Sequence, residues 1–312
     1  MAPFYHLVSD EKVPHVDNLY SYRNVREFKK DLDFFLKRYS PLSLPELLIH
    51  LGNKRPLTKQ FFFSVDDGLR ETFHNIAPIL KQKGIPATFF VNTATLDNAG
   101  MLYRHKASLL IDHLRGLTNQ AAISRSTAVL AKHGILNSDQ VSALLSIRYA
   151  NRHVLDEVAE SIDFDYADYL DRRQPYLTTT QLNTLISQGF SIGGHSVDHP
   201  AYPEVTIEEQ LRQTKESVMT LTRTFGVGYA AFAFPFGDKG VSKQFFSKIR
   251  IEGFVQVLFG SSGYLIDENY PFVIQRVGME DQPFCTEDIL RIAEVKFVVR
   301  LLAGKADTRR AA

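Results

Sequence analysis

The sequence predicts an α/β fold, a parallel sheet or barrel carrying a helical insertion. Three observations carry this expectation. Short apolar runs alternate with amphipathic stretches of helical period. Strands separated by helices pair in parallel, because each crossover needs room for a helix. The interval between a strand ending near Asn92 and the next starting at Phe190 is far too long for one crossover. Residues 101–174 are therefore expected as a helical insertion, a lid or an oligomer contact, within one domain spanning 1–312.

Taken in order, residues 2–8 are an aromatic-rich apolar run and read as a strand. Residues 25–39 place Val25, Phe28, Leu32, Phe35 and Leu36 at helical spacing. Residues 43–51 form a short helix opened by a Ser43/Glu46 capping pattern. A buried strand follows over 61–65, then a helix over 71–83 that Pro78 should kink or delay, then a strand over 87–92. After the insertion the rhythm resumes. A helix over 178–188 opens on Thr178 with Gln181, and a strand covers 190–193. A long helix over 206–225 opens on Thr206 with Glu209 and stops at Gly226. Strands are expected at 230–234, 254–259 and 271–277, with helices over 242–252 and from 286 to about 302.

Composition bounds the function. The chain has 312 residues, 36 Lys+Arg against 35 Asp+Glu, and a net charge of +1. That balance argues against a sequence-independent grip on nucleic acid. One cysteine excludes an intrachain disulfide and a Cys-based zinc site. Cys285 precedes a helix without an evident partner and reads as structural. No basic-then-apolar leader and no long apolar span is visible, so a cytoplasmic protein without a transmembrane segment is expected.

Three strand ends carry candidate chemistry. In Phe61-Phe-Phe-Ser-Val-Asp66-Asp67-Gly68, two carboxylates sit where an apolar strand runs out. In parallel α/β proteins, ligands bind at such carboxyl ends. One carboxylate could bind a metal while the other acts as base; the bland alternative is an Asp-rich turn. In Gly193-Gly194-His195-Ser-Val-Asp-His199, two histidines four apart follow a second strand. That spacing can bring both imidazoles to one cation, and a carboxylate would complete a His₂Asp site. In Phe232-Ala-Phe234-Pro-Phe236-Gly237, an apolar strand ends in Pro-aromatic-Gly. Aromatic faces there suit a sugar ring, and the turn can aim a backbone N–H at an oxyanion.

These blocks resemble those of the NodB-type polysaccharide deacetylases, of the carbohydrate esterase family 4-like kind. Ser64-Val65-Asp66-Asp67-Gly68 is similar to their T-F-D-D-G motif, and His195-Ser-Val-Asp-His199 to their H-[ST]-x-x-H motif. Phe234-Pro-Phe-Gly237 is similar to their third motif, R-x-P-[YF]-G, with Ala233 where the arginine usually stands. The resemblance implies a distorted (β/α)7 barrel. It implies a divalent metal ion, zinc by family habit, held by Asp67, His195 and His199. It further implies Asp66 as general base and the backbone N–H of Phe236 as oxyanion donor. Arg276 is the candidate to replace the missing arginine that orients the base.

The family's last motif supplies a histidine as general acid, yet no histidine follows His199. Phe4-Tyr5-His6-Leu-Val8 resembles the opening of the circularly permuted branch, which includes poly-N-acetylglucosamine deacetylases. There the first strand takes the place of the last, which makes His6 the acid. His105 competes for that role if the insertion folds over the site. Phe234, Tyr103 and His105 are candidate substrate contacts, and Tyr202 a further aromatic platform.

The implied activity is metal-dependent hydrolysis of the N-acetyl group of an amino sugar, releasing acetate. The N-acetylated saccharide is expected in a polysaccharide or in a precursor of lipopolysaccharide or O-antigen assembly. Alternatives are an O-acetyl esterase or cyclic amide hydrolase on the same scaffold, or a non-catalytic saccharide-binding module.

Overall fold

The computed structural model describes residues 1–53, 58–137, 139–265, 267, 269–304 and 310. Its centre is a parallel sheet of short strands: β1 (Pro3–Tyr5), β2 (Ser40–Leu42), β3 (Gln60–Val65), β4 (Ala87–Val91), β5 (Ser191–Gly194), β6 (Ala231–Ala233), β7 (Val257–Gly260), β8 (Val273–Gln275) and β9 (Val277–Gly278). Eight of them run in the order β8-β7-β6-β5-β4-β3-β1-β9, with β2 paired to β3 outside this path. All pairings are parallel. β8 and β9 flank the single residue Arg276, so the two ends of the path belong to one interrupted strand and the barrel nearly closes. Counting them as one gives the seven staves expected from the sequence.

The N-terminal strand closes the ring. Phe4 pairs with Ser64 on one side and with Gly278 on the other. The period-2 alternation of strands then sorts the β3 side chains. Phe61 and Phe63 face the helices and pack with Phe28 and Phe35. Phe62 faces inward, stacking on Phe259 at a centroid separation of 4.9 Å. Ser64 and Asp66 follow on that inner side, and Arg276 binds both.

The helices start where their caps predict. Asn24 accepts the N–H of Glu27, and Ser43/Glu46 and Thr178/Gln181 form complete capping boxes. Thr206 caps its helix, but Glu209 turns to Arg212 and Gln213 instead of closing the box. Before Pro78 the chain makes a π turn over Thr72–Ile76, with the Ala77 N–H reaching back to Thr72. Pro78 has no N–H to offer the preceding turn, and the wider turn absorbs that loss.

Some boundaries differ from expectation. β1 ends at Tyr5, leaving His6 just beyond it, and β7 begins at Val257. β2 was not expected, since it is three residues long and contains Pro41. Proline is tolerated there because the strand lies at an edge. Between β4 and β5 lie the helices Tyr103–Gly116, Gln120–Lys132, Gln140–Ser146, Val154–Ser161 and Tyr166–Arg173. They share their own apolar cluster, including Leu110, Leu130, Leu144, Leu155 and Val158. Among the described residues, no helix is long and apolar enough to cross a membrane.

Candidate active site

The strand ends converge at the carboxyl face of the barrel because each is held by a further ladder-like bond. The N–H of Asp66 donates to Tyr5 O, that of His195 to Val91 O, and that of Phe234 to Phe259 O, each at 2.9 Å. Beyond these points the backbone turns sharply. Asp67, Ser196, His199 and Phe236 all have positive φ, between 55° and 70°. Such conformations in residues other than glycine are strained and cluster at functional sites. Gly68 continues the turn at φ +63°, where a Cβ would sit 2.9 Å from Val91 Cγ1. At Gly193 a Cβ would collide with the Phe90 ring, so this glycine serves strand packing inside the barrel.

Three side chains meet over the barrel mouth. Asp67 Oδ1 lies 3.2 Å from both His195 Nε2 and His199 Nε2. All three residues are buried. His195 Nδ1 lies 2.9 Å from the carbonyl of Ala233, so it carries the ring proton and donates it there. Nε2 therefore presents a lone pair to a carboxylate oxygen. Asp67 Oδ1 has no hydrogen-bond partner, and neither has His199 Nδ1. The His195 Nε2 lone pair and the Asp67 carboxylate, 3.2 Å apart in a buried site, repel unless a cation joins them. The donor set thus fits a divalent metal.

A second group, His133, His153 and Glu157, lies on the surface of the insertion. There Lys132 Nζ already sits 3.1 Å from Glu157 Oε2, and His133 Nε2 is 3.0 Å from the same oxygen. That arrangement is an ordinary ion-pair cluster.

Asp66 is only 1% exposed and is gripped by Arg276, itself fully buried. Nη1 and Nη2 bind the two carboxylate oxygens at 2.7 Å each, a bidentate pair. Arg276 also donates to Ser64 Oγ at 3.0 Å and to Gly260 O at 3.2 Å, and lies over the Phe4 ring at 4.4 Å. Burial alone would raise the pKa of Asp66; the Arg276 guanidinium outweighs it and holds the group below its ordinary value. The arginine absent at Ala233 is thus matched by one arriving from between β8 and β9.

His6 stands on the same rim. Its Nδ1 is 2.6 Å from Glu280 Oε2, while Glu280 Oε1 accepts the backbone N–H groups of His6 and Leu7 at 2.9 and 2.8 Å. Burial opposes the imidazolium, yet Glu280, with Asp67 and Asp66 beyond, raises its pKa to about 9. Tyr20 completes the wall, its hydroxyl 3.4 Å from Asp67 Oδ2 and its ring 4.9 Å from that of His6. Sequence reasoning missed Glu280 and Tyr20. The signal for Glu280 was there: like Asp66, it is a carboxylate just past an apolar strand, in Val277-Gly-Met-Glu280.

A cavity of about 320 Å³ joins these groups, lined by Phe4, His6, Asp66, Asp67, His195, His199 and Phe236 among others. Phe236 is 56% exposed at its mouth and packs edge-on against His199 at 4.7 Å. Phe234 reaches the wall, but its ring is buried among Tyr202, Phe232 and Phe245. Tyr103 and His105, expected as substrate contacts, are not among the residues that line this cavity. Tyr103 packs edge-on against Tyr149 in the insertion's apolar cluster. His105 is buried beneath Tyr176, bonded to its hydroxyl at 2.7 Å, and burial lowers its pKa to about 4. Tyr202 is fully buried and shares a hydrogen bond with Thr214, so it offers no platform.

Comparisons with known proteins agree with this architecture. The deacetylase PplD of Streptococcus pyogenes, solved with acetate, superposes with a TM-score of 0.59 at 16% identity, covering 93% of this chain and 96% of that one. IcaB from Ammonifex degensii gives 0.54 at 16% identity, over 94% and 96%. A de-N-acetylase from Aggregatibacter actinomycetemcomitans gives 0.53 at 15%, over 92% and 97%. At such identities the likeness speaks to the fold. No curated protein matches the chain in sequence. The family described as polysaccharide deacetylase matches residues 53–250, more than half of the chain and the span that holds Asp66, Asp67, His195, His199 and Phe236. The chain therefore belongs to the polysaccharide deacetylase family, and is a hydrolase acting on the amide bonds of N-acetylated sugars.

Proposed function

We propose that this protein is a divalent-metal-dependent N-deacetylase acting on an N-acetylated amino sugar of a glycan or glycan precursor. The observation that carries the metal is the meeting of Asp67 Oδ1 with two imidazole Nε2 atoms at 3.2 Å in a buried site, where the His195 ring proton is committed to Ala233 O. Asp67, His195 and His199 would hold the ion, and zinc suits the donor set. When bound, such an ion polarises the acetamide carbonyl and acidifies water.

The chain's own groups account for the proton transfers. Asp66, kept ionised by Arg276, accepts a proton from the attacking water. Arg276 also fixes the carboxylate plane, so its position is set before substrate arrives. The oxyanion that develops is met by the backbone N–H of Phe236, on a turn with φ +55°. His6 keeps Nδ1 on Glu280, which leaves Nε2 to protonate the departing amine. Acetate and a free amino sugar leave. The Phe236 ring at the mouth offers an apolar face to the sugar.

Acetate release from N-acetylglucosamine oligomers by the zinc-loaded protein tests the reading. Turnover is expected in the wild type and should be nearly abolished in Asp66→Asn. Undiminished turnover in Asp66→Asn refutes the assigned base.

A further inference from the structure

The loop that presents His195 and His199 is strained. Ser196 has φ +70° and His199 φ +65°, and neither is glycine. Such conformations persist only where the surroundings over-determine them. Most of the restraint comes from the barrel. Asn92 Nδ2 donates to His195 O and to Ser196 Oγ, and Ser196 Oγ accepts the His199 N–H at 2.9 Å. Gln213, on the helix Ile207–Phe225, accepts the N–H groups of Val197 and Asp198 at 2.8 and 3.3 Å.

Asp198, between the two histidines, points outward. Its carboxylate takes Gln213 Nε2 at 2.6 Å, and the Tyr149 hydroxyl at 2.8 and 2.7 Å to its two oxygens. Tyr149 belongs to the insertion. It is buried in the insertion's apolar cluster, with the Arg152 guanidinium 3.9 Å above its ring. Arg152 Nη2 in turn lies 3.9 Å from Asp198 Oδ2. The helical insertion thus hydrogen-bonds the loop through the Tyr149 hydroxyl, on a ring locked by the insertion's own core, with Arg152 facing the same carboxylate.

We propose that Tyr149 is a positioning residue, through which the insertion grips Asp198 and fixes the loop carrying His195 and His199 in its ligating geometry. This rests on the metal site proposed above. Removing the hydroxyl leaves Asp198 held by Gln213 Nε2 and the more distant Arg152, which loosens its carboxylate and lets the strained loop relax, while the ring continues to fill its pocket. Partners of metal ligands typically contribute about 10- to 100-fold to metal affinity or activity.

The test uses the full chain and zinc. In Tyr149→Phe, zinc retention against a competing chelator should weaken by about tenfold or more. The kcat at limiting zinc should fall with KM unchanged, and excess zinc should restore it. Tyr166→Phe is the control, since among the described residues that insertion hydroxyl bonds the carbonyls of Lys106 and Leu155 and not the loop. It should match the wild type in both measurements. Equal zinc retention in Tyr149→Phe and wild type overturns the proposal, as does an equal loss in Tyr166→Phe. Asp198→Asn reports on the same bond from the barrel side. Its effect on zinc retention should not add to that of Tyr149→Phe in the double variant, and additive losses contradict the grip. A wild-type chain that retains no zinc refutes the metal site itself, an outcome distinct from a zinc-binding wild type matched by Tyr149→Phe.

Discussion

Replacing Arg276 with methionine keeps most of the side-chain volume but leaves the Asp66 carboxylate buried without its cation. Four hydrogen bonds are lost: two to Asp66 at 2.7 Å, one to Ser64 Oγ at 3.0 Å and one to Gly260 O at 3.2 Å. Removing one partner of a buried pair typically costs about 3–5 kcal/mol. Denaturant unfolding should show a loss of that order. The pKa of Asp66 is now held below its ordinary value by Arg276 against the effect of burial. Without the guanidinium, only the weaker pull of His195 and His6 opposes burial, and the pKa rises. The base then stays protonated to higher pH, so the acidic limb of the kcat/KM profile moves upward in pH. The sign for stability follows: a depressed carboxylate stabilises above its unfolded pKa and loses that contribution as pH falls, and Arg276→Met removes this acid sensitivity. Adding Asp66→Asn to Arg276→Met removes the orphaned charge, so much of the stability should return while activity does not. An acidic limb in Arg276→Met that coincides with wild type refutes the assignment of Arg276 to the base, and so does a double variant no more stable than the single.

Further outcomes are expected. Glu280→Gln removes what raises His6 to about 9, so the alkaline limb of activity should move toward lower pH by about one unit or more; an unmoved limb contradicts His6 as the acid. The same pair contributes stability in full below about pH 6.5, lost as pH rises through the folded value, so the melting temperature of wild type should fall over that interval and Glu280→Gln should be flatter. His6→Ala should lower kcat by about 10²- to 10⁴-fold with little change in KM, and full activity would end the argument that the first strand supplies the acid.

The parts of the site that were legible in the sequence are those where chemistry sits beside a strand end. Asp66-Asp67-Gly68 and His195 to His199 announce themselves because polar ligands interrupt apolar runs. The parts that were not legible are set by long-range contact. Glu280 sits just past an apolar strand as Asp66 does, but that it meets His6, more than two hundred residues away in the chain, depends on β9 closing the barrel. Arg276 was a candidate, but its place in the gap between β8 and β9 depends on what Asp66 and Ser64 do to it, not on its neighbours. Tyr103 and His105 looked available because aromatic and titratable residues suit a binding wall. The helix Tyr103–Gly116 turns both inward, to Tyr149 and Tyr176. Pro78 was read correctly as a disturbance, although its form, a π turn, depends on how the helix packs onward.

The most direct test is metal content measured together with acetate release on the same samples. Wild-type protein loaded with zinc and freed of excess should hold one equivalent bound at Asp67, His195 and His199. Exhaustive chelation should abolish acetate release and re-addition should restore it, and His199→Ala should neither hold the ion tightly nor turn over. Full acetate release from a chain freed of its metal, or unimpaired zinc binding and activity in His199→Ala, would contradict the proposed metal centre.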